Sequence, residues 1–401
     1  MSRIAGRHVV LGVSGGIAAY KSCTIARRLT EAGATVETVL TAAAARFVGP
    51  VTFEALTGRP VVTSLWQPGQ SLEHVRLGRE ADLIVVAPAT AHLIARIAQG
   101  MADDFLTALL LARRAPLLLA PAMNDRMFAH PETQSNLALL RSRGAQLLGP
   151  VTGPLARGEG EGPGRMVEPE EIVAHAERLL RSAAPWTGAR VLVTAGPTRE
   201  RLDPVRVVTN RSSGRMGFAL AREAWLRGAE VTLVAGPSGL EPPPGVEVVR
   251  VESTAELAAA VGDALPLADL LLMAAAPADY RPARSHDQKL KRAEGALRLD
   301  LEPTEDVLSG TAARRKKGAV VVGFALETED LVASARAKLE SKRLDLIVAN
   351  DATEPGAGPE VPTNRVTLVG RDGAEALPLM SKDEVAAAVL DRVQRLLSRR
   401  G

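Results

Sequence analysis

Four short β-rich runs, VVLGV (9–13), VETVL (36–40), LIVVAPA (83–89) and PLLLAPA (116–122), alternate with helical stretches of ten or more residues. A parallel strand pair cannot be closed by a tight turn, so this alternation calls for a parallel sheet with crossover helices. The rhythm stops at SAAPWTGA (182–189), where small residues, Pro and Gly mark a boundary, and then begins again. The second series predicts strand 190–194, helix 215–227, strands 230–235 and 246–250, helix 254–263, strands 269–275 and 319–324, helix 328–341 and strand 344–349. A chain of 401 residues exceeds what one core fills, so two α/β domains are expected, 1–186 and 187–401. A hairpin (365–379) and an end helix (381–398) read as packing or dimer-forming elements.

Aromatic residues make up only 3% of the chain, so both cores must be built from Ala, Val and Leu. The formal net charge of +3 comes from scattered basic residues with no long run, which argues against a nucleic-acid partner. Cys23 is the single cysteine, excluding a disulfide within the chain and a cysteine-rich zinc site. No apolar stretch approaches the roughly 20 residues of a membrane span. The opening MSRIAGRHVVLGVSGG runs directly into a strand without a cleavage-site pattern, so a soluble, cytoplasmic protein is expected.

In the first half, VVLGVSGGIAAYKS ends a strand and starts a helix, where backbone N–H groups and the helix dipole attract phosphate. The Gly16-IAAY-Lys21-Ser22 run is close to a P-loop but lacks the glycine before the lysine, and the G-x-G-x-x-G dinucleotide spacing is missing. A nicotinamide oxidoreductase is therefore disfavoured. Two further strand ends, LIVVAPATAHLIARIAQGMADD (83–104) and LLLAPAMNDRMF (118–128), reach the carboxyl edge where open α/β sheets bind ligands.

The combination G-x-S-G-x-I-A-A-Y-K, A-P-A-T-A and P-A-M-N-x-x-M resembles the homo-oligomeric, flavin-containing cysteine decarboxylases, which implies a flavodoxin-like fold and FMN. Phosphate contacts would come from Ser14, Gly15, Thr41, Ala87, Pro88, Ala89 and Thr90, a catalytic histidine falls on His74, and a substrate-binding asparagine on Asn124. The implied chemistry oxidises a cysteinyl thiol to a thioaldehyde, which loses CO₂ because the developing carbanion delocalises onto sulfur. Hydride return to the enethiol then needs an acid. The family flap carries a cysteine for this in L-A-C-G, whereas this chain has Leu155-Ala156-Arg157-Gly158 and one extra residue before Pro163-Gly164-Arg165-Met166. Arginine is no acid. Glu159, Glu161 or water could donate, or this half could stop at the enethiol. The glycine-rich segment 153–166 reads as a mobile flap.

In the second half, TAGPTRERLDPVR (194–206), VTNRSSGRMGFALA (208–221), MAAAPADYRP (273–282), QKLKR (288–292), VVGFALET (321–328) and K-x-x-x-K-x-x-D-L-I-V-A-N-D (338–351) resemble the phosphopantothenate–cysteine ligase half of the fused enzymes of coenzyme A biosynthesis. The resemblance implies CTP as co-substrate, Mg²⁺, and an acyl-cytidylate attacked by the cysteine amine. It assigns Asn210 and Lys289 to the reaction, and Ala274, Ala275, Asp279, Lys289, Glu305, Asp306, Val307, Leu308, Phe324, Lys338 and Lys342 to the nucleotide. Without it, Lys338 and Lys342 read as an exposed helix face. Thr304-Glu305-Asp306-Val307 lacks a proline usual in the family. The two halves together imply ligation of 4′-phosphopantothenate with cysteine, then decarboxylation to 4′-phosphopantetheine. They also imply trimeric flavin domains and dimeric ligase domains. A second reading keeps the ligase and makes the flavin half an impaired or FMN-binding scaffold.

Overall fold

The computed structural model describes residues 4–66, 72–155, 157–158, 160–181, 185–291, 297–327, 330–351, 354 and 356–398. Two compact units emerge, Met1–Ser182 and Ala183–Gly401, each on its own sheet.

The first unit runs β1 (His8–Val13), α1 (Lys21–Glu31), β2 (Thr35–Leu40), α2 (Pro50–Thr57), α3 (Glu73–Glu80), β3 (Leu83–Ala89), α4 (Ala91–Gln99), α5 (Phe105–Ala112), β4 (Leu117–Pro121), α6 (Asp125–Ala129), α7 (Pro131–Ser142) and β5 (Gln146–Leu147). Its five parallel strands lie in the order β2-β1-β3-β4-β5, a flavodoxin-like sheet. Side chains alternate across each strand, so Val9, Leu11, Val13, Leu83 and Val85 join the core under α1, α2 and α8 (Pro169–Leu180), with Ile25, Leu29, Phe53 and Ile172. Val10, Ile84 and Val86 face the opposite core with Leu77, Leu93, Ile94, Phe105 and Leu109 of α3, α4 and α5. Both faces are covered, which is why these strands read as continuous apolar runs.

Between β5 and α8 the glycine-rich segment forms a hairpin of β6 (Val151–Pro154) and β7 (Glu161–Arg165). Along β7, exposed Glu161, Pro163 and Arg165 alternate with buried Gly162 and Gly164. The buried positions are glycines because the hairpin lies directly on the chain that leaves β4.

The second unit runs β8 (Arg190–Ala195), β9 (Arg199–Arg201), β10 (Val207–Thr209), α9 (Arg215–Leu226), β11 (Glu230–Ala235), β12 (Glu247–Arg250), α10 (Thr254–Ala264), β13 (Leu270–Met273), β14 (Tyr280–Pro282), β15 (Leu301–Pro303), α11 (Val307–Gly310), β16 (Val320–Glu327), α12 (Leu331–Ser341), β17 (Leu346–Asp351), β18 (Thr363–Asn364), β19 (Thr367–Gly370), β20 (Gly373–Ala376), β21 (Met380–Ser381) and α13 (Lys382–Ser398). The main sheet has the order β12-β11-β8-β13-β16-β17-β19-β20, parallel as far as β17 and antiparallel beyond it. Its parallel part has the doubly wound 3-2-1-4-5-6 arrangement, with the switch point between β8 and β13. Leu192, Val234, Leu271, Val321 and Ile347 pack against Leu257, Val261, Ala335 and Leu339 of α10 and α12. On the other face Arg227, at the end of α9, donates to Glu223 at 2.9 Å and to Asp391 of α13 at 2.6 Å, and it stacks 5.4 Å over Trp186.

Candidate functional site

In the first unit the strand order switches between β1 and β3, and the chain crosses their carboxyl ends through Ser14 and Ala87–Thr90. The Ser14 hydroxyl donates to the Pro88 carbonyl at 2.8 Å and accepts from the Thr90 amide at 3.0 Å. Thr90 caps α4, its hydroxyl oxygen accepting from the Leu93 amide at 3.4 Å. Ser22 donates to the Ala87 carbonyl at 2.5 Å. On the other flank the Thr41 amide donates to the Val13 carbonyl at 3.1 Å, and the Thr41 hydroxyl accepts from Ala44. A Cβ on Gly15 would stand 2.4 Å from the Ala43 Cβ, so only glycine lets the turns after β1 and β2 meet. Ser14, Gly15, Thr41 and Ala87–Thr90 thus form one edge. Its hydroxyls and the α4 N-terminus suit a phosphate.

β4 delivers Asn124 beside this edge, with the Ala122 amide bonded to the Ala89 carbonyl at 3.1 Å. The Asn124 side-chain oxygen accepts from the Arg126 amide at 2.9 Å and caps α6, which leaves the two amide N–H donors as the groups that can meet a carboxylate. The hairpin rests on this turn: the Met123 amide donates to the Gly164 carbonyl at 3.0 Å. A Cβ at 164 would come within 2.2 Å of the Met123 carbonyl oxygen, and one at 162 within 2.9 Å of the Asp125 Cβ. Arg157 is exposed at the hairpin turn and Glu161 is exposed on β7, while Glu159 lies outside the described residues. Cys23 packs half-buried against the core, where burial pushes its thiol pKa up.

His74 stands apart from this edge. It sits on α3, its ring edge-on to Phe105 at 6.1 Å, and its buried Nδ1 has no hydrogen-bond partner among the described residues. It lines a cavity of about 500 Å³ with Leu65, Trp66, Ala108 and Leu111. Trp66 and Leu111 are 88% and 64% exposed.

The second unit gathers its implied residues at the β8–β13 switch point. The Ala275 amide donates to the Thr194 hydroxyl at 3.0 Å and the Ala276 amide to the Gly196 carbonyl at 2.9 Å. Asn210 reaches over to donate to the Pro277 carbonyl at 2.8 Å, beside Ala274, Ala275 and Asp279. Gly214, at φ 80°, opens α9 where a Cβ would stand 3.3 Å from the Gly196 nitrogen. Asp279 accepts at its carbonyl from the Thr304 amide at 3.0 Å, which brings in Glu305–Leu308. Asp306 caps α11, accepting from the Ser309 hydroxyl at 3.0 Å, so the turn forms without the proline. Val307 and Leu308 are buried in the core below it. Met273 at the end of β13 pairs with Gly323, so Phe324 follows on β16 where the chain leaves β13 into Ala274.

Lys338 of α12 and Lys342 at its C-terminal end already hold acidic partners at this edge, Lys338 with Glu327 at 2.6 Å and Lys342 with Asp306 at 3.0 Å. Burial raises the Asp306 pKa, but the bonds from Lys342 and Ser309 outweigh it and hold the carboxyl below its usual range. Lys289 is exposed in irregular chain that is tied down at the next residue: the Leu290 amide donates to Asp203 at 3.2 Å. Asp203 also accepts from the Val205 and Arg206 amides at 2.8 Å. Burial opposes its charge, yet these amides bring its pKa below the ordinary value.

Three supports have partners that the sequence does not reveal, because those partners are distant. Thr198 and Thr254 hydroxyls bond at 2.9 Å, and Glu200 accepts from both the amide and the hydroxyl of Thr254 at 2.8 Å. Lys382, in the end helix read as a packing or dimer-forming element, donates to the carbonyls of Gly358, Pro359 and Val361 at 2.9, 3.0 and 2.6 Å, and Pro359 in turn accepts from Ser213 at 2.6 Å. Lys21 is the third.

The family described as "Flavoprotein" matches residues 2–181, and that described as "DNA/pantothenate metabolism flavoprotein C-terminal domain" matches residues 186–397. The Coenzyme A biosynthesis bifunctional protein CoaBC of Vibrio cholerae is 47% identical over 394 residues, covering 97% of this chain and 98% of the relative. Its namesake in Mycobacterium tuberculosis is 49% identical over 408 residues, covering 98% and 97%. A crystal structure of the C-terminal domain of a protein of that name is 40% identical, covers 54% of this chain and 100% of that one, and has a TM-score of 0.47.

Proposed function

The chain belongs to the family of coenzyme A biosynthesis bifunctional proteins, and from that premise we propose how its two halves divide the work. It carries phosphopantothenate–cysteine ligase and phosphopantothenoylcysteine decarboxylase activities, so the flavin half as a mere scaffold is set aside. Residues 187–401 make phosphopantothenoylcysteine and residues 1–186 decarboxylate it to 4′-phosphopantetheine. The observation that carries this division is that each sheet has its own switch-point edge, each furnished with a different set of polar groups.

In the ligase half a carboxylate must be activated before an amine can attack it. CTP converts 4′-phosphopantothenate to an acyl-cytidylate with loss of pyrophosphate, and the cysteine amine then displaces CMP. Ala274, Ala275, Asp279, Glu305, Asp306, the backbone of Val307 and Leu308, and Phe324 line the nucleotide, while Lys338 and Lys342 exchange their carboxylate partners for its phosphates. Lys289 stabilises charge at the reacting phosphate, and Asn210, neutral and fixed against Pro277, hydrogen-bonds the acyl phosphate. Mg²⁺ is assigned to the triphosphate, since this ion keeps water ligands and binds largely through substrate phosphates.

In the decarboxylase half the edge of Ser14, Gly15, Thr41 and Ala87–Thr90 fits the phosphate of FMN. When bound, FMN supplies the two-electron oxidation of the cysteinyl thiol and its later reversal. Asn124 holds the substrate carboxylate and His74 orients or deprotonates the substrate. The β6–β7 hairpin shields the site, and the last proton comes from the lengthened flap, through Glu159 or Glu161, with Arg157 as an electrostatic partner. The exposed Trp66 and Leu111 beside His74 support a homo-oligomer in which a neighbouring subunit completes the site: trimers of flavin units, with dimers of ligase units. We place the enzyme in the cytoplasm, with which the absence, among the described residues, of a helix long and apolar enough to cross a membrane agrees.

Mass spectrometry tests the reading with purified protein, 4′-phosphopantothenate, cysteine, CTP and Mg²⁺, and separately with phosphopantothenoylcysteine. Phosphopantetheine is expected from both. An enethiol that accumulates would overturn the flap-donor assignment, and ligation that proceeds equally without CTP would overturn the ligase mechanism.

A further inference from the structure

Lys21 ends the GGIAAYK motif, at the place where a phosphate-binding lysine would be sought. Its ammonium goes elsewhere. The side chain is 9% exposed, and Nζ donates to the Met166 carbonyl at 3.3 Å and to Glu168 Oε1 at 3.0 Å. The same carboxylate oxygen accepts from Arg165 at 2.5 Å. Arg165 is the last residue of β7, and its neighbour Gly164 carries the carbonyl that receives the Met123 amide. One limb of the hairpin is therefore gripped twice, by the Asn124 turn on one side and by the first residue of α1 on the other. The next residue, Ser22, bonds to Ala87 at the phosphate edge. A single turn of α1 thus holds both the edge and the hairpin.

Burying an ammonium is costly unless it is paired and hydrogen-bonded. Docking α1 on α8 does not require it, since Ile25 and Leu29 of α1 share one buried core with Ile172 and Ala176 of α8. The Lys21 hydrogen bond also holds the Glu168 carboxyl below its usual range.

We propose that Lys21 is a positioning residue of the decarboxylation: through Met166 and Glu168 it fixes the β6–β7 hairpin over Asn124 and couples the hairpin to the phosphate-binding turn. This rests on the assignment of decarboxylation to the first unit.

The test uses the full-length, flavin-loaded enzyme and its Lys21→Met, Lys21→Arg and Glu168→Gln variants. Flavin absorbance, CTP-dependent ligation, turnover of phosphopantothenoylcysteine and the rate of trypsin cleavage after Arg157 are measured on each. Lys21→Met and Glu168→Gln should keep flavin and ligation, lose about ten- to a hundredfold in decarboxylase kcat, as a misplaced active-site element does, and be cut faster. Lys21→Arg should recover part of the loss. Unchanged kcat and cleavage in both variants would overturn the proposal, and so would loss of flavin in step with kcat, which would make Lys21 a cofactor ligand. If Lys21→Met fails to fold, Glu168→Gln decides, because its side chain is 51% exposed. A wild-type enzyme inert on phosphopantothenoylcysteine would sink the underlying assignment instead.

Discussion

The Asn124 amide caps α6 with one end and, under the proposed function, meets the substrate with the other. Its oxygen caps α6 through the Arg126 amide, and its N–H groups are what a substrate carboxylate can use. Asn124→Asp keeps the cap but sets two carboxylates against each other, a juxtaposition that costs several kcal/mol. Decarboxylase kcat/KM should fall about a hundredfold or more, mostly through KM, with the melting temperature unchanged. A fall in melting temperature of the same order as in a core variant would show that the side chain serves the fold instead. His175 on α8 offers a test of electrostatics: burial, with Arg178 adding to it, pushes its pKa from 6.5 to about 4. The unfolded chain therefore takes up the proton first, so this contribution to stability is whole above about pH 6.5 and is lost as the pH falls toward 4. His175→Gln should lose less stability than the wild type between pH 7 and pH 4.5 by urea unfolding, and equal losses would discard the assignment. At this scale motifs made residue types legible, whereas partners were hidden: Lys21 stood out within GGIAAYK, but nothing local announced Met166 and Glu168, more than 140 positions away.

At the scale of elements, α9 is held to β8 by the absence of a side chain. A Cβ on Gly217 would lie 2.4 Å from the Ala195 Cβ and 2.7 Å from the Thr194 carbonyl oxygen, and backbone cannot yield as a flexible side chain can. Gly217→Ala should destabilise the second unit by about 1–3 kcal/mol. By shifting the Ser213–Gly214 turn it should also raise the KM for CTP, while decarboxylation stays at the wild-type rate. An unmoved KM would mean that the turn is held by the Ser213–Pro359 bond and not by the seat of the helix. Long parallel strands were legible: LIVVAPA is β3 to the residue, and the strand expected at 230–235 is β11. Their apolar runs exist because helices cover both faces. The ribbons β9–β10, β14–β15 and β18–β21 were not legible, since two or three paired residues set up no period. The glycine-rich flap was seen as a flap but not as a hairpin, because its glycines answer to Met123 and Asp125, which the local pattern cannot reveal.

For the whole molecule, the core clusters decide what can be separated. Among the described residues, two clusters of the flavin unit lie between Ile4 and Leu180, and a ligase cluster under α10 and α12 runs from Leu192 to Val369. Each switch-point edge is likewise assembled from strands of its own sheet. A unit with its own core and its own site should survive separation. Residues 1–182 and 183–401 made as two chains should give a yellow protein that decarboxylates supplied phosphopantothenoylcysteine and a colourless one that releases pyrophosphate from CTP in the presence of 4′-phosphopantothenate. Because the buried His74 Nδ1 has no hydrogen-bond partner among the described residues and stands beside exposed Trp66 and Leu111, the first chain should also stay oligomeric on sizing, and Trp66→Glu should break that assembly and the decarboxylation together. Dissociation with full activity would place the whole reaction within one subunit, and His74 would then need a partner from its own chain.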